Sequence, residues 1–421
     1  MSYATLAPAP TAATSPGVSV KTPNKLFLFG VGLAMALSSI VLVEPAPVDA
    51  LVMGLFVVGI CAGIIGLRGL RPIAVVPLAL FMVANVVSLY DPLNSRRALW
   101  YILVTLYLCA SWAFFVGVLW AFEKRGMDLM IKMYAVAGMI CIIPGLLSYF
   151  NIIGFQNTLL LFDRPKGTFK DPNVYGPYLI PIALFAVAGL IAQRKGTRSA
   201  VLHTSIALIS ITGIFLSYSR ACWINLVVAL MAYLFFSFMF RPAGTPSPFP
   251  ISRAILAFAG VALCVGMAMQ IPEVQEMMAQ RLTSTGLQGY DKDRFATQHL
   301  ALEAALAHPL GIGPGQVEEA FHYSTHSSYM RVLGENGFIG EIGYVAFVLV
   351  CLGRGIVMGW KTQDPYWEKI YFIASACILG HIINSAVVDT LHWRHYWFLL
   401  ALPWYQPNAL TERMHRWRVR H

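Results

Sequence analysis

The sequence has 421 residues, of which 57% are hydrophobic and only 12% charged. A water-soluble domain carries roughly 25% charged residues, so the composition excludes an ordinary soluble fold and points to the bilayer as solvent for the surplus apolar surface. The net charge of +10 would suggest nucleic acid in a soluble protein. Here it is a question of which loops hold the charge, and no nucleic-acid partner is expected.

Residues 1–24 are rich in Ala, Pro, Thr and Ser and lack a small-residue cleavage site after an apolar core. They read as a disordered tail rather than a signal peptide. Apolar runs long enough to cross a bilayer then recur near 25–43, 47–67, 73–90, 96–122, 128–150, 173–193, 198–217, 219–240 and 252–271. This predicts a bundle of about nine spans over 25–271, broken by an outer loop at 151–172 and a Pro-rich surface loop at 242–250. A 66-residue hydrophilic loop, 272–337, follows, with helical stretches expected at 295–307 and 327–336. Further runs at 338–358 and 368–388 and a shorter one at 394–405 make up C-terminal spans over 338–405, and 406–421 is a basic tail. The short last run leaves eleven spans as the alternative to twelve. An apolar run in lipid must be helical, because a helix satisfies its own backbone polar groups. The fold class is therefore an all-α integral membrane protein of about twelve transmembrane helices.

Placing the N-terminus inside puts most of the 30 Lys and Arg residues on inner segments, among them Lys124, Arg125, Lys132, Arg354 and Lys361, as the positive-inside rule requires. Both tails then lie in the cytoplasm and both long loops outside. The seven cysteines all fall in apolar stretches without a CxxC pair and read as small core residues.

Three outer segments hold the unusual chemistry. The first runs Arg164-Pro165-Lys166-Gly167-Thr168-Phe169-Lys170-Asp171-Pro172-Asn173. Its cations precede a helix that Asp171 or Asn173 can cap. The segment reads either as an anion site at a helix N-terminus or as a capped helix behind an ordinary basic loop. The second is the turn Ser217-Tyr218-Ser219-Arg220, where Arg220 either meets a ligand or snorkels to the interface. The third, in the long loop, holds Arg294, then His308-Pro309-Leu310-Gly311-Ile312-Gly313, His326-Ser327 and Gly337 to Gly340.

Several other patterns carry less. Gly311-x-Gly313-x-Gly315 is not a dinucleotide fingerprint and follows no strand. Asp291-x-Asp293 reads as solvated loop charge. His322 and His326 have the spacing of metal ligands on one helical turn, but the HExxH glutamate is missing, so no metal and no cofactor are expected. His381 and Asn384 inside a span, with Asp389 and His392 just beyond it, read as polar core contacts.

Together these segments resemble the O-antigen ligase and O-antigen polymerase superfamily of bacterial envelopes. The resemblance rests on Arg164-x-x-Gly167-Thr168-Phe169-x-Asp171-Pro172-Asn173-x-x-Gly176, on Ser219-Arg220, on Arg294 ahead of the His308–Gly313 block, and on His326-Ser327 followed after nine residues by Gly337-Phe338-Ile339-Gly340. It departs at Ser327, where Asn is common, and in a short loop between Arg294 and His326.

The resemblance implies a GT-C-like, metal-independent, inverting glycosyltransferase of the inner membrane. It would move a glycan from undecaprenyl diphosphate to an acceptor hydroxyl on the periplasmic side. The acceptor is lipid A–core in a ligase, a second lipid-linked glycan in an O-antigen or exopolysaccharide polymerase, or a protein hydroxyl. On this reading His326 is the general base, Arg220, Arg294, Arg164, Lys166 and Lys170 bind the diphosphate, and Gly167, Asn173, Gly337 and Gly340 shape the motifs. Residue chemistry agrees: arginine pairs bidentately with phosphate, and a neutral imidazole can take the acceptor proton. A multi-span secondary transporter and a non-catalytic envelope scaffold are the rivals. Against a transporter stand the lack of an internal repeat and the clustering of ionisable residues at the outer ends rather than at the midplane.

Overall fold

The computed structural model of the protein describes residues 22–192, 197–240, 266, 269–282 and 290–407. Nearly all of the span expected at 252–271 lies outside these residues, as do the 242–250 loop and most of both tails.

The described chain is almost entirely helical. The helices are α1 (Thr22–Ala36), α2 (Pro47–Cys61), α3 (Pro72–Val87), α4 (Ser95–Tyr149), the single turn α5 (Gln156–Leu159), α6 (Pro172–Ala192), α7 (Thr197–Leu216) and α8 (Arg220–Met239). They are followed by α9 (Pro272–Leu282), α10 (Tyr290–Ala307), α11 (Val317–Phe321), α12 (Ser328–Lys361), α13 (Pro365–Ser385) and α14 (Arg394–Ala401). Among the described residues, six helices are long and apolar enough to cross a membrane, so the protein is an all-α membrane protein. The last expected span is an eight-residue helix, α14, closed by a 3-10 turn at Leu402–Trp404.

Two expected spans, 96–122 and 128–150, are joined in α4, which has 55 residues. As a straight rod it would be roughly 80 Å long, more than twice the hydrocarbon core. It is not straight: Glu123 takes φ 47° and ψ −133°, and the chain doubles back there. Near one end of α4, Tyr101 lies against Gly315, while Gly145 near the other end packs on Gly167. Both ends therefore reach the same loop-bearing end of the bundle, and a single left-handed residue replaces the expected inner loop.

A second break sits inside α12. Gly337 has φ 66°, and a Cβ built there would lie 2.1 Å from the Pro309 carbonyl oxygen. Only glycine fits, by conformation and by space. The break lets the 308–313 loop lie along the helix: Ile312 N donates to Gly334 O (3.0 Å), Gly313 N to Glu335 O (2.9 Å) and Phe338 N to Pro309 O (3.1 Å). Gly337→Ala is expected to cost roughly 1–3 kcal/mol from backbone strain alone, plus the clash. A lowered melting temperature in detergent would register it, and an unchanged one would contradict this account of the break.

Aromatic residues dominate the core. Trp112, Trp397, Trp404, Tyr134, Tyr175 and Tyr178 are fully buried, and all of their polar tips except the Tyr175 hydroxyl find partners, as is usual for buried Trp and Tyr. Trp112 Nε1 donates to Leu400 O, and Tyr134 OH to Tyr178 O. Tight approaches are made at glycines: a Cβ at Gly343 would lie 2.6 Å from Phe81 N, and one at Gly380 2.1 Å from Asn225 Oδ1.

Candidate active site

The site assembles at the end of the bundle where the long segments emerge. In the 160–173 segment, Leu160–Leu161 pairs antiparallel with Arg164–Pro165. Phe162 and Asp163 make the two-residue turn, both at positive φ, as a type I′ hairpin needs. Gly167, at φ 54°, would place a Cβ 2.5 Å from Cys141 O, so this turn lies directly on α4. Thr168 Oγ1 donates to Ser39 O at 2.6 Å. Asp171 Oδ1 accepts from Asn173 N at 2.6 Å and caps α6.

Arg164 is buried. Its Nε donates to Ser217 O at 2.8 Å and its Nη2 to Asn173 Oδ1 at 3.2 Å. This guanidinium thereby ties the first segment to the Ser217–Arg220 turn. Gly176 completes the junction: a Cβ there would meet Cys222 Sγ at 2.6 Å and Ser217 Oγ at 2.9 Å. Lys166 is half-buried and Lys170 exposed, the latter with its ammonium 3.0 Å from Glu44.

Arg220 opens α8 behind the Ser219 N-cap, whose Oγ accepts from Cys222 N at 3.4 Å. Its side chain is exposed. The antiparallel packing of α8 on α13 fixes its level. Asn225 faces Gly380 and Phe236 faces Phe372. Five residues back from Asn225, Arg220 therefore stands level with the end of α13 near Ser385.

His326 reaches the same level from α12. Ser327 caps that helix, and its Oγ donates to Ser385 O at 3.2 Å. His326 itself takes φ 47°, a left-handed conformation that is uncommon outside glycine and is typical of residues held in place for function. Helix α10 fixes this turn from the other side: Gln298 Nε2 donates to Thr325 O at 2.9 Å. Arg294 lies four residues before Gln298, on the same helix face, which sets it beside His326. Its Nη1 lies 3.5 Å from Val387 O.

The electrostatics of His326 report these neighbours. Burial and then the Arg294 guanidinium push its imidazole below the ordinary value, partly opposed by Asp171 and Asp389. His326, Arg294, Asp171 and Asp389, from four separate segments, thus share one field. Among the described residues, no three His, Cys, Asp or Glu side chains come together as a metal site requires.

Behind His326 lies a charge network whose centre, Arg331, sequence reasoning does not single out, although it notes Asp389 and His392 as polar core contacts. Arg331, buried, donates from Nη1 to Asp389 Oδ2 at 2.6 Å and from Nη2 to Glu318, with Glu335 Oε1 3.7 Å from its Nε. Its guanidinium lies over the Tyr101 ring. Burial alone would raise the Asp389 carboxyl, but Arg331 and then His392 hold it below the carboxylate range. Asp389 in turn accepts from Ser328 Oγ at 3.1 Å, next to the helix cap that carries His326. The available signal is an arginine inside an apolar helical run: such a residue is costly in lipid and demands a partner. His381 is a buried polar contact, its Nε2 3.2 Å from His395 Nε2 and its Nδ1 2.7 Å from Cys377 O.

The arrangement offers a half-buried imidazole that favours its neutral form, with an adjacent guanidinium and a further exposed arginine at the same level. It suits proton abstraction next to a bound anion. Compared with known sequences, residues 205–345 match the model of a family described as O-antigen ligase, consistent with the superfamily that the motifs resemble. The matched stretch contains Arg220, Arg294 and His326 and stops short of Arg164–Asn173. No curated protein matches the chain.

Proposed function

With the family of that central stretch as premise, we propose that the protein is a membrane glycosyltransferase that moves a glycan from undecaprenyl diphosphate to an acceptor hydroxyl on the periplasmic side. The observation that supports it is the docking of the α10 face that holds Gln298 and Arg294 on the turn of His326, through Gln298 and Thr325 O. A base and a cation side by side are what transfer from a diphosphate to a hydroxyl requires. Neutral His326 accepts the acceptor proton as the hydroxyl oxygen bonds to the anomeric carbon. The bond from that carbon to the diphosphate oxygen breaks on the opposite face, inverting the centre. The departing diphosphate carries away the electron pair, and Arg220 and Arg294 hold its charge with no general acid needed. Preorganised charge of this kind is usually the largest catalytic term. Lys166 assists from the first segment. Arg164, spent on Ser217 and Asn173, positions the turn that carries Arg220.

The acceptor proposed is lipid A–core, in keeping with the family's description as ligase; polymerisation onto a second lipid-linked glycan would use the same donor chemistry. Purified protein supplied with a lipid-diphosphate-linked glycan and lipid A–core should form core-linked glycan in detergent. No transfer to any hydroxyl acceptor would overturn the reading. In cells, deletion should remove long glycan from the lipid core while polymer stays on its carrier. A single capped repeat unit in its place would assign polymerase instead.

A further inference from the structure

At the end of the bundle opposite the site, α1 and the second half of α4 enclose a cavity of about 790 Å³. Lys25, Lys124, Arg125 and Lys132 line it, against a single carboxylate, Asp128. Asp128 is engaged, accepting from Tyr366 OH at 2.7 Å, and Lys124 sits over the Tyr366 ring. Among the described residues no carboxylate pairs with Lys25, Arg125 or Lys132. These cations also break a local rule. Lys25 is in the first turn of α1, and Lys124 and Arg125 open the helix that restarts after Glu123. A helix N-terminus carries positive partial charge and favours anions, so two such ends and four cations concentrate unneutralised positive potential in one groove.

The groove walls supply the second half of the argument. Along α1, Phe29 and Leu33 line it and are exposed; on α4, exposed Val136 and Ile140 continue the Lys132 face beyond the cavity. Each pair is four residues apart and so lies on one helix face. Gly32 keeps the floor open, a Cβ there just touching Leu129. The groove is basic at its mouth and apolar along its length. The chain itself offers little to fill it: residues 1–21 contain no carboxylate and 408–421 only Glu412.

We propose that this groove binds an anionic glycerophospholipid, its phosphate on Lys25, Arg125 and Lys132 and an acyl chain along Phe29, Leu33, Val136 and Ile140. Basic pockets between membrane helices are suited to such headgroups. The inference stands independently of the transfer reaction.

Titration of the purified protein in neutral detergent with cardiolipin, followed by native mass spectrometry and melting temperature, tests it. Cardiolipin should bind and stabilise. In the triple variant Lys25→Gln, Arg125→Gln, Lys132→Gln the half-saturating concentration should rise about a hundredfold, and about fivefold in each single variant. Phosphatidylcholine and sodium pyrophosphate should do neither. Equal cardiolipin affinity in wild type and the triple variant would refute the site, and so would equal binding of phosphatidylcholine. Stabilisation by pyrophosphate would assign a soluble anion instead. Should the triple variant elute as aggregate, the single variants decide by the same criterion.

Discussion

His326→Ala is expected to abolish glycan transfer while leaving the protein folded and membrane-inserted. General-base help contributes roughly 10²–10⁴ in rate, and the other imidazole nearby, His392, faces Asp389. The fold should tolerate the change, because hydrogen bonds made by neighbouring residues secure this turn. Ser327 Oγ reaches Ser385 O, and Gln298 holds Thr325 O. Alanine is less at ease than histidine at φ 47°, so a small loss of stability is expected. Donor binding should persist, since the arginines are untouched. Turnover within about tenfold of wild type, measured with purified protein and a defined acceptor, would remove His326 from the mechanism.

Arg294→Gln should produce the second-largest loss, about 10²–10³ in turnover, the range for removal of one preorganised charge-stabilising donor. Arg294→Lys should recover little, because a point charge cannot replace a planar two-pronged donor. The pH profile separates this role from mere support of the loop. Burial and Arg294 hold the His326 imidazole below its ordinary value. The base is active when neutral, so wild-type transfer should persist as pH falls below about 6.5 and decline only further into acid. Removing the neighbouring positive charge relieves part of the depression, so the acidic limb of the residual activity should move to higher pH. A limb that stays in place would mean that Arg294 acts at a distance from the base.

Much of this was legible in the residues, for a physical reason. Lipid allows only helices, so the apolar runs at 173–193, 198–217 and 219–240 could be placed almost to the residue, against Pro172–Ala192, Thr197–Leu216 and Arg220–Met239. One cap was equally readable: Asp171 holds the start of α6 by a side-chain bond that its type favours, as Ser219 and Ser327 do for α8 and α12. What could not be read was the third dimension. Arg164 looks like Lys166 and Arg220 as a cation beside a turn. Only burial shows that it is consumed by Ser217 and Asn173. Lys170 likewise meets Glu44, a residue 126 positions away whose proximity no local pattern encodes. The Arg331 network draws on residues from Tyr101 to His392, which explains why its members look like isolated charges along the chain.

The proposed roles divide between the two ends of the bundle, and the fold makes that division sharp. Because the reversal in α4 is made at one residue, the length of that hairpin has no slack. A single amino acid inserted after Glu123 would rotate everything downstream by about 100°. Cys141 and Gly145 would turn away from Gly167, the contact that seats the donor-side turn on its scaffold. Tags, reporters and length changes at that bend should therefore silence a centre a full membrane thickness away, whereas the same additions at either terminus would leave this register untouched.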